Sequence, residues 1–151
     1  MGMTMVVLAK RYQPGDGKTY QIGRITLTFK TSAADTGGAY TLCEAIEPPD
    51  AAARLHRHPA YDETHIICEG HYECQLGDAE LKLGPGEMLF APRGTPHSVK
   101  SIGPETGREL IISSPGGIFD AFIEEVTGAL AAAAKGGPAA DFRAIAAKLW
   151  H

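Results

Sequence analysis

Turn-forming residues interrupt the stretch from 39 to 113 roughly every 8–12 positions, and the segments between them alternate apolar with polar side chains. A helix needs a longer uninterrupted run and a different period. The Gly-, Pro- and Asp-rich clusters at 48–50, 77–78, 84–86, 92–96 and 103–107 therefore restrict this stretch to short strands. Residues 20–30 read as one half-buried strand, with Ile25, Leu27 and Phe29 alternating. In residues 39–47, Tyr40, Leu42, Glu44 and Ile46 share one face, and Thr41, Cys43 and Ala45 the other. Further strands are expected at 63–68, 71–76, 80–83, 97–101 and 108–113, with a short buried strand at 88–91 and a first strand within 1–10. Many short strands with turn signals mean an all-β sandwich or barrel.

The period changes after the hinge at 114–117. Ile118, Phe119, Phe122, Ile123 and Val126 follow helical spacing, and good helix formers continue to the break at Gly136-Gly137-Pro138. Residues 141–150 read as a second helix with Phe142, Ile145 and Leu149 on one side. The expected organisation is a barrel over 1–115 and a helical extension over 116–151 packed on it. The helices are expected to cover the barrel exterior or a dimer surface. The alternative is that Ile118, Phe119 and Phe122 partly close the barrel mouth. There is no internal repeat.

Two stretches carry chemistry. His56 and His58 stand two apart, so in an extended segment both imidazoles face one side, with Cα atoms roughly 7 Å apart. Pro59 then interrupts the ladder, and the chain re-enters a sheet before Glu63. If Glu63 faces inward, Tyr61, His65 and Ile67 do too. The second stretch runs from Gly86 through Pro92 and Gly94 to His97, which opens a strand after a rigid turn. His56, His58, Glu63 and His97 together offer three imidazoles and one carboxylate to a metal ion.

These stretches resemble the two cupin motifs, G-x5-H-x-H-x(3,4)-E-x6-G and G-x5-P-x-G-x2-H-x3-N. The first is matched by His56, His58, Glu63 and Gly70, with Asp50 at the leading glycine. The second is matched by Gly86, Pro92, Gly94 and His97, with Ser101 at the asparagine. Thr36-Gly37-Gly38-Ala39, Pro48-Pro49, Ser114-Pro115-Gly116-Gly117 and the helical tail extend the resemblance to the small single-domain cupins grouped as quercetin-dioxygenase-like. It implies a single-domain cupin jelly-roll barrel with a short C-terminal helical extension, and one divalent transition metal per chain: Fe, Mn, Ni, Co, Cu or Zn. Four ligands on an octahedral ion leave two positions open, which suits catalysis or ligand binding better than a closed structural role.

The expected function is a metal-dependent dioxygenase acting on a small aromatic or enolisable compound. The alternatives are a metal-dependent isomerase, epimerase or cyclase, and a non-catalytic module that binds a small ligand. His65 shares a face with Glu63 and is the candidate catalytic base; the competing reading is a core histidine satisfied by a carbonyl or by Glu63. Tyr61, Tyr72, Cys74 and Phe90 are the candidate substrate-binding residues, Tyr72 and Cys74 because their strand turns them inward with Leu76.

Composition narrows the partners. At 151 residues the chain suits one domain with a sizeable core. Fourteen basic against 18 acidic residues, net −4, give no sign of a nucleic-acid or anionic-membrane surface. No apolar run reaches the ~18 residues that span a bilayer. The first ten residues lack the basic region of a signal peptide, so a cytoplasmic location is expected. Cys43, Cys68 and Cys74 form no C-x-x-C pair and read as small hydrophobes. A homodimer is expected, with Ile66, Cys68, Ile111 and Ser113 on apolar strand faces.

Overall fold

The computed structural model describes residues 8–150. Nine strands come first: β1 (Lys18–Ile22), β2 (Ile25–Thr31), β3 (Thr41–Glu47), β4 (Asp62–Glu69), β5 (Tyr72–Leu76), β6 (Ala79–Leu83), β7 (Met88–Ala91), β8 (His97–Ser101) and β9 (Gly107–Ser114). A one-turn helix α1 (Ala33–Thr36) joins β2 to β3, and α2 (Ile118–Ala134) and α3 (Phe142–Leu149) follow. Residues 1–7 of the expected first strand lie outside the described residues, and residues 8–10 form no strand.

The strands form two antiparallel sheets, ordered β1-β2-β3-β9-β4-β7 and β6-β5-β8. Isolated bridges Ala52↔Lys100 and His56↔His97 add the chain before β4 to the free edge of β8. Among the described residues the hydrogen bonds do not run round as one closed barrel; two sheets make the jelly roll.

The single strand expected over 20–30 is a hairpin. Ile22 pairs with Ile25 across Gly23-Arg24, and Gly23 takes φ +58°, the left-handed conformation that primed two-residue turns require. The alternation survives the turn, which is why one strand and two read alike.

Inside and outside follow strand parity. Thr41, Cys43, Ala45 and Glu47 of β3 are buried, as are Glu63, His65 and Ile67 of β4 and Glu109, Ile111 and Ser113 of β9. One apolar cluster (Ile67, Tyr72, Cys74, Leu83, Leu89, Ala91, Val99) fills the space between the sheets. A second (Leu27, Phe29, Cys43, Ala45, Ile111, Ile123) lies where α2 covers the inner face of the large sheet. Full burial of a side chain such as Ile67 contributes about 1.5–3 kcal/mol. Parity also corrects two expectations. In β7 only Leu89 and Ala91 are buried, so that strand is half-buried. On β9 the outward residues are Leu110 and Ile112, whereas Ile111 and Ser113 face the interior and are not available to a dimer surface.

The helices lie over the inner face rather than the barrel exterior. Ile123 and Val126 of α2 are buried, and the Phe119 ring stands 5.7 Å from Phe29 and 6.3 Å from Tyr61. Asp120 anchors the start of α2, accepting from Thr41 Oγ1 at 2.5 Å and from the amides of Ala33 and Gly117, both at 3.3 Å. No described helix is long and apolar enough to cross a membrane.

Candidate metal centre

Three segments bring the four expected ligands together. His56 and His97 exchange backbone hydrogen bonds at 3.1 and 2.9 Å, and Gly94 donates to the His58 carbonyl at 2.9 Å. The second motif is thereby fastened to the first. Gly94 has φ +82°, a conformation that side chains resist, so the turn depends on glycine there. The regular strand expected through His56 and His58 does not form: His56 makes one isolated bridge, and His58 lies in irregular chain. The rings converge nonetheless, with centroids 4.5 Å apart for His56–His97 and 4.8 Å for His58–His97. Glu63 enters from β4, whose first residue Asp62 is gripped by Arg93 through its amide at 2.8 Å, Nε at 3.1 Å and Nη2 at 3.2 Å. At Asp50, where the first motif has its leading glycine, φ is +68°, so aspartate keeps the backbone shape expected there.

The donor set fits a transition metal. The ligand atoms of His56, His58, Glu63 and His97 all lie within 4.8 Å of one another. Each imidazole is oriented by a carbonyl at Nδ1: Arg54 O at 2.6 Å, Tyr61 O at 3.1 Å and Thr95 O at 2.9 Å. Donation from Nδ1 leaves each Nε2 with its lone pair, the tautomer a metal-binding histidine needs. His58 Nε2 is buried without a hydrogen-bond partner, since Glu63 Oε2 stands 3.6 Å away. Burial also lowers the pKa of His56, which favours the neutral ring. Three neutral nitrogens and one carboxylate suit borderline divalent ions.

Behind Glu63 runs a buried polar chain. The His65 ring lies between two carboxyl groups, with Nε2 2.7 Å from Glu63 Oε1 and Nδ1 2.5 Å from Glu109 Oε1. Burial opposes charge on His65, but Glu109 and then Glu63 outweigh it and raise its pKa well above the ordinary value. Burial likewise works against ionised Glu63, and His65 leads the groups that nevertheless hold its pKa well below normal. Next to Glu109, Glu47 keeps its proton, because burial and then Glu109 push its pKa far up. The side-chain hydrogen bond between Glu47 and Glu109 needs that proton, while Tyr72 Oη donates to Glu47 Oε1 at 2.9 Å.

The candidate substrate-binding residues are dispersed. Tyr61 is buried and stacks on His58 with ring centroids 3.9 Å apart and planes 7° from parallel, so it braces one of the four clustered donors. Tyr72 and Cys74 lie in the core between the sheets, Tyr72 at the Glu47 end of the polar chain; burial pushes the Cys74 thiol up to about 12. Phe90 pairs with Thr64 on the outer face, is 55 % exposed and points away from the cluster, because it is one residue out of register with inward Leu89 and Ala91. The sequence reading missed Glu47, Glu109 and Trp150. Glu47 shares parity with Thr41, Cys43 and Ala45, and that signal could have found it. Trp150 ends α3 with its indole centroid 5.6 Å from His58 and 5.9 Å from His56, a placement that no local pattern announces.

Comparison with known proteins agrees with this architecture. The family described as Cupin domain matches residues 44–113. An uncharacterised protein from Methanocaldococcus jannaschii is 30% identical over 79 residues, 52% of this chain; the match spans 63% of that relative's length. Among solved structures, KdgF from Halomonas sp. aligns with TM-score 0.65 and 16% identity over 73% of this chain and 96% of its own. The polyketide cyclase RemF from Streptomyces resistomycificus aligns with TM-score 0.63 and 24% identity, over 71% and 80%. An RmlC-like cupin from Shewanella frigidimarina aligns with TM-score 0.60 and 15% identity, over 74% and 96%. Identities this low speak for the fold. Both motifs lie at the meeting point of two jelly-roll sheets, residues 44–113 match the Cupin domain family across them, and the fold is that of the cupin jelly rolls.

Proposed function

We propose that this chain is a metal-dependent enzyme in which His56, His58, Glu63 and His97 hold one divalent ion, and that it is a dioxygenase acting on a small aromatic or enolisable compound. The observation that carries the reading is the donor set, buried at His58, Glu63 and His97 and half-buried at His56, with every Nδ1 committed to a carbonyl and His58 Nε2 left without a partner. A redox-active ion held there supplies Lewis acidity and an electron path to dioxygen, whereas zinc supplies Lewis acidity alone. The chain's own residues do the rest. Tyr61 fixes His58 by stacking, and Trp150, backed by Phe122, gives the cluster an aromatic wall that suits a flat substrate. His65 has both nitrogens engaged and carries a proton, so it acts as a donor and a support for Glu63 rather than as a free base.

A second reading, an isomerase or cyclase that uses no oxygen, is favoured by the same His65–Glu109–Glu47 chain, which can hold a proton and return it. Two copies of the chain pair through the outer face of the large sheet.

Elemental mass spectrometry on untagged protein, beside His58→Ala, is the first test. Iron, copper, nickel or manganese near one per chain, lost in the variant, supports the oxygenase reading. Oxygen uptake with catechols and enolisable diketones then separates it from the second. Zinc with turnover but no oxygen uptake moves the assignment to the second, and no metal after reloading sinks both.

A further inference from the structure

Trp150 is the sole tryptophan of the chain. Its indole packs 4.6 Å from Phe122 and rests against the His56 and His58 rings. The indole Nε1 is buried and meets no acceptor among the described residues. A buried donor without a partner costs about 1–3 kcal/mol, so a ring held this way has an acceptor in its working state. The neighbouring imidazoles do not provide one: their Nδ1 atoms donate to carbonyls, and their Nε2 atoms belong to the metal cluster.

We infer that Trp150 roofs the metal centre and donates its indole N–H to an oxygen of the bound substrate, which makes it a specificity-determining residue for small oxygen-bearing molecules. The inference rests on the metal-enzyme reading above. The helix that carries the roof is lightly held. No residue of α3 is buried, the connector from α2 contains Gly136 at φ +91°, and Lys148 reaches Glu125 of α2 at 2.8 Å on the surface. An element with so few buried contacts opens at little cost. Substrate therefore enters as α3 lifts, and the N–H bond to substrate helps to hold it down.

Because Trp150 is the only indole, its fluorescence reports the roof directly. In metal-free protein its emission is expected to be shielded from acrylamide; access equal to that of free N-acetyltryptophanamide overturns the roof whether or not a metal binds. Cobalt(II) added to the same protein is expected to quench most of the emission at one ion per chain, with zinc(II) quenching little. Full emission with cobalt bound, as counted by elemental analysis, also overturns the roof. For the donor, 4-nitrocatechol is titrated into zinc-loaded protein. Trp150→Phe, which keeps the roof but lacks the N–H, is expected to bind it about three- to tenfold more weakly. Equal affinity overturns the donor role. If no metal is taken up, the metal reading fails and the donor role falls with it, while acrylamide shielding still decides the roof.

Discussion

Glu109 shows how much of the site is set by residues that touch no ligand position. Its carboxyl holds His65, and His65 holds Glu63, so the orientation of the cluster's one acidic member is fixed two contacts away. Glu109→Gln keeps the shape and removes the charge that supports the His65 proton. Supporting partners of this kind typically contribute 10–100-fold to metal affinity. A loss of about that size is expected in competition with a chromophoric chelator, and unchanged affinity would show that Glu63 is oriented by its own strand alone. Glu47 carries the opposite electrostatics. Folded, it keeps its proton up to about pH 10; unfolded, it gives the proton up near 4.5. Between those values the unfolded chain binds fewer protons, so stability falls as pH rises, whereas below 4.5 both states are protonated and the penalty vanishes. Glu47→Gln still donates to Glu109 and accepts from Tyr72. Its urea midpoint is expected to exceed the wild-type value at about pH 9, with little difference near about pH 4. Equal midpoints across that range would mean that Glu47 ionises freely. The cluster of His56, His58, Glu63 and His97 was legible because its residue types and spacing are a motif. Of the supporting acids, Glu47 was marked only by its parity with Thr41, Cys43 and Ala45, and Glu109 was not marked at all, because one carboxylate in an alternating strand looks like any other until the strand's inner face is known.

Among the elements, strand positions were largely readable and their ends and faces less so. The segments at 88–91 and 97–101 coincide with β7 and β8, since Gly and Pro bound them on both sides. The β1–β2 hairpin was hidden because its two-residue turn preserves the alternation. The coverage of the inner face by α2 was hidden because helical periodicity says which side is apolar, not which surface it meets. Gly70, the last position of the first motif, shows a constraint that sequence marks without explaining. It has φ +81°, and an added Cβ would lie 2.8 Å from the Gly107 Cα. That contact is backbone against backbone, between the end of β4 and the start of β9, so neither side can rotate away. Gly70→Ala is expected to destabilise the fold by more than ~1 kcal/mol, through both the left-handed backbone and the collision, as read by chemical denaturation. A loss of a few tenths would mean that the β4–β9 junction yields easily.

At the scale of the whole molecule, the two faces of the large sheet differ in what covers them. The inner face meets the small sheet and α2. Nothing described covers the outer face, where Leu42, Ile112, Thr64 and Phe90 lie side by side across β3, β9, β4 and β7, and Glu44, Leu110, Ile66 and Met88 form the next row. Met88 is 59 % exposed and Phe90 55 %. A contiguous apolar face of this kind marks an interaction surface more often than a solvated one. In a dimer a two-fold axis sets each copy's patch against its own equivalent. The one charged residue within these rows, Glu44, is already paired with Arg108 at 3.2 Å, so burying the rows leaves no lone charge there. Light scattering at micromolar concentration is expected to give twice the chain mass. Phe90→Glu with Met88→Glu is expected to halve that mass while leaving metal content unchanged, because both side chains point away from the cluster. A wild-type monomer would remove the dimer. Loss of metal on dissociation would instead mean that pairing of the outer faces holds β4, and with it Glu63, in place.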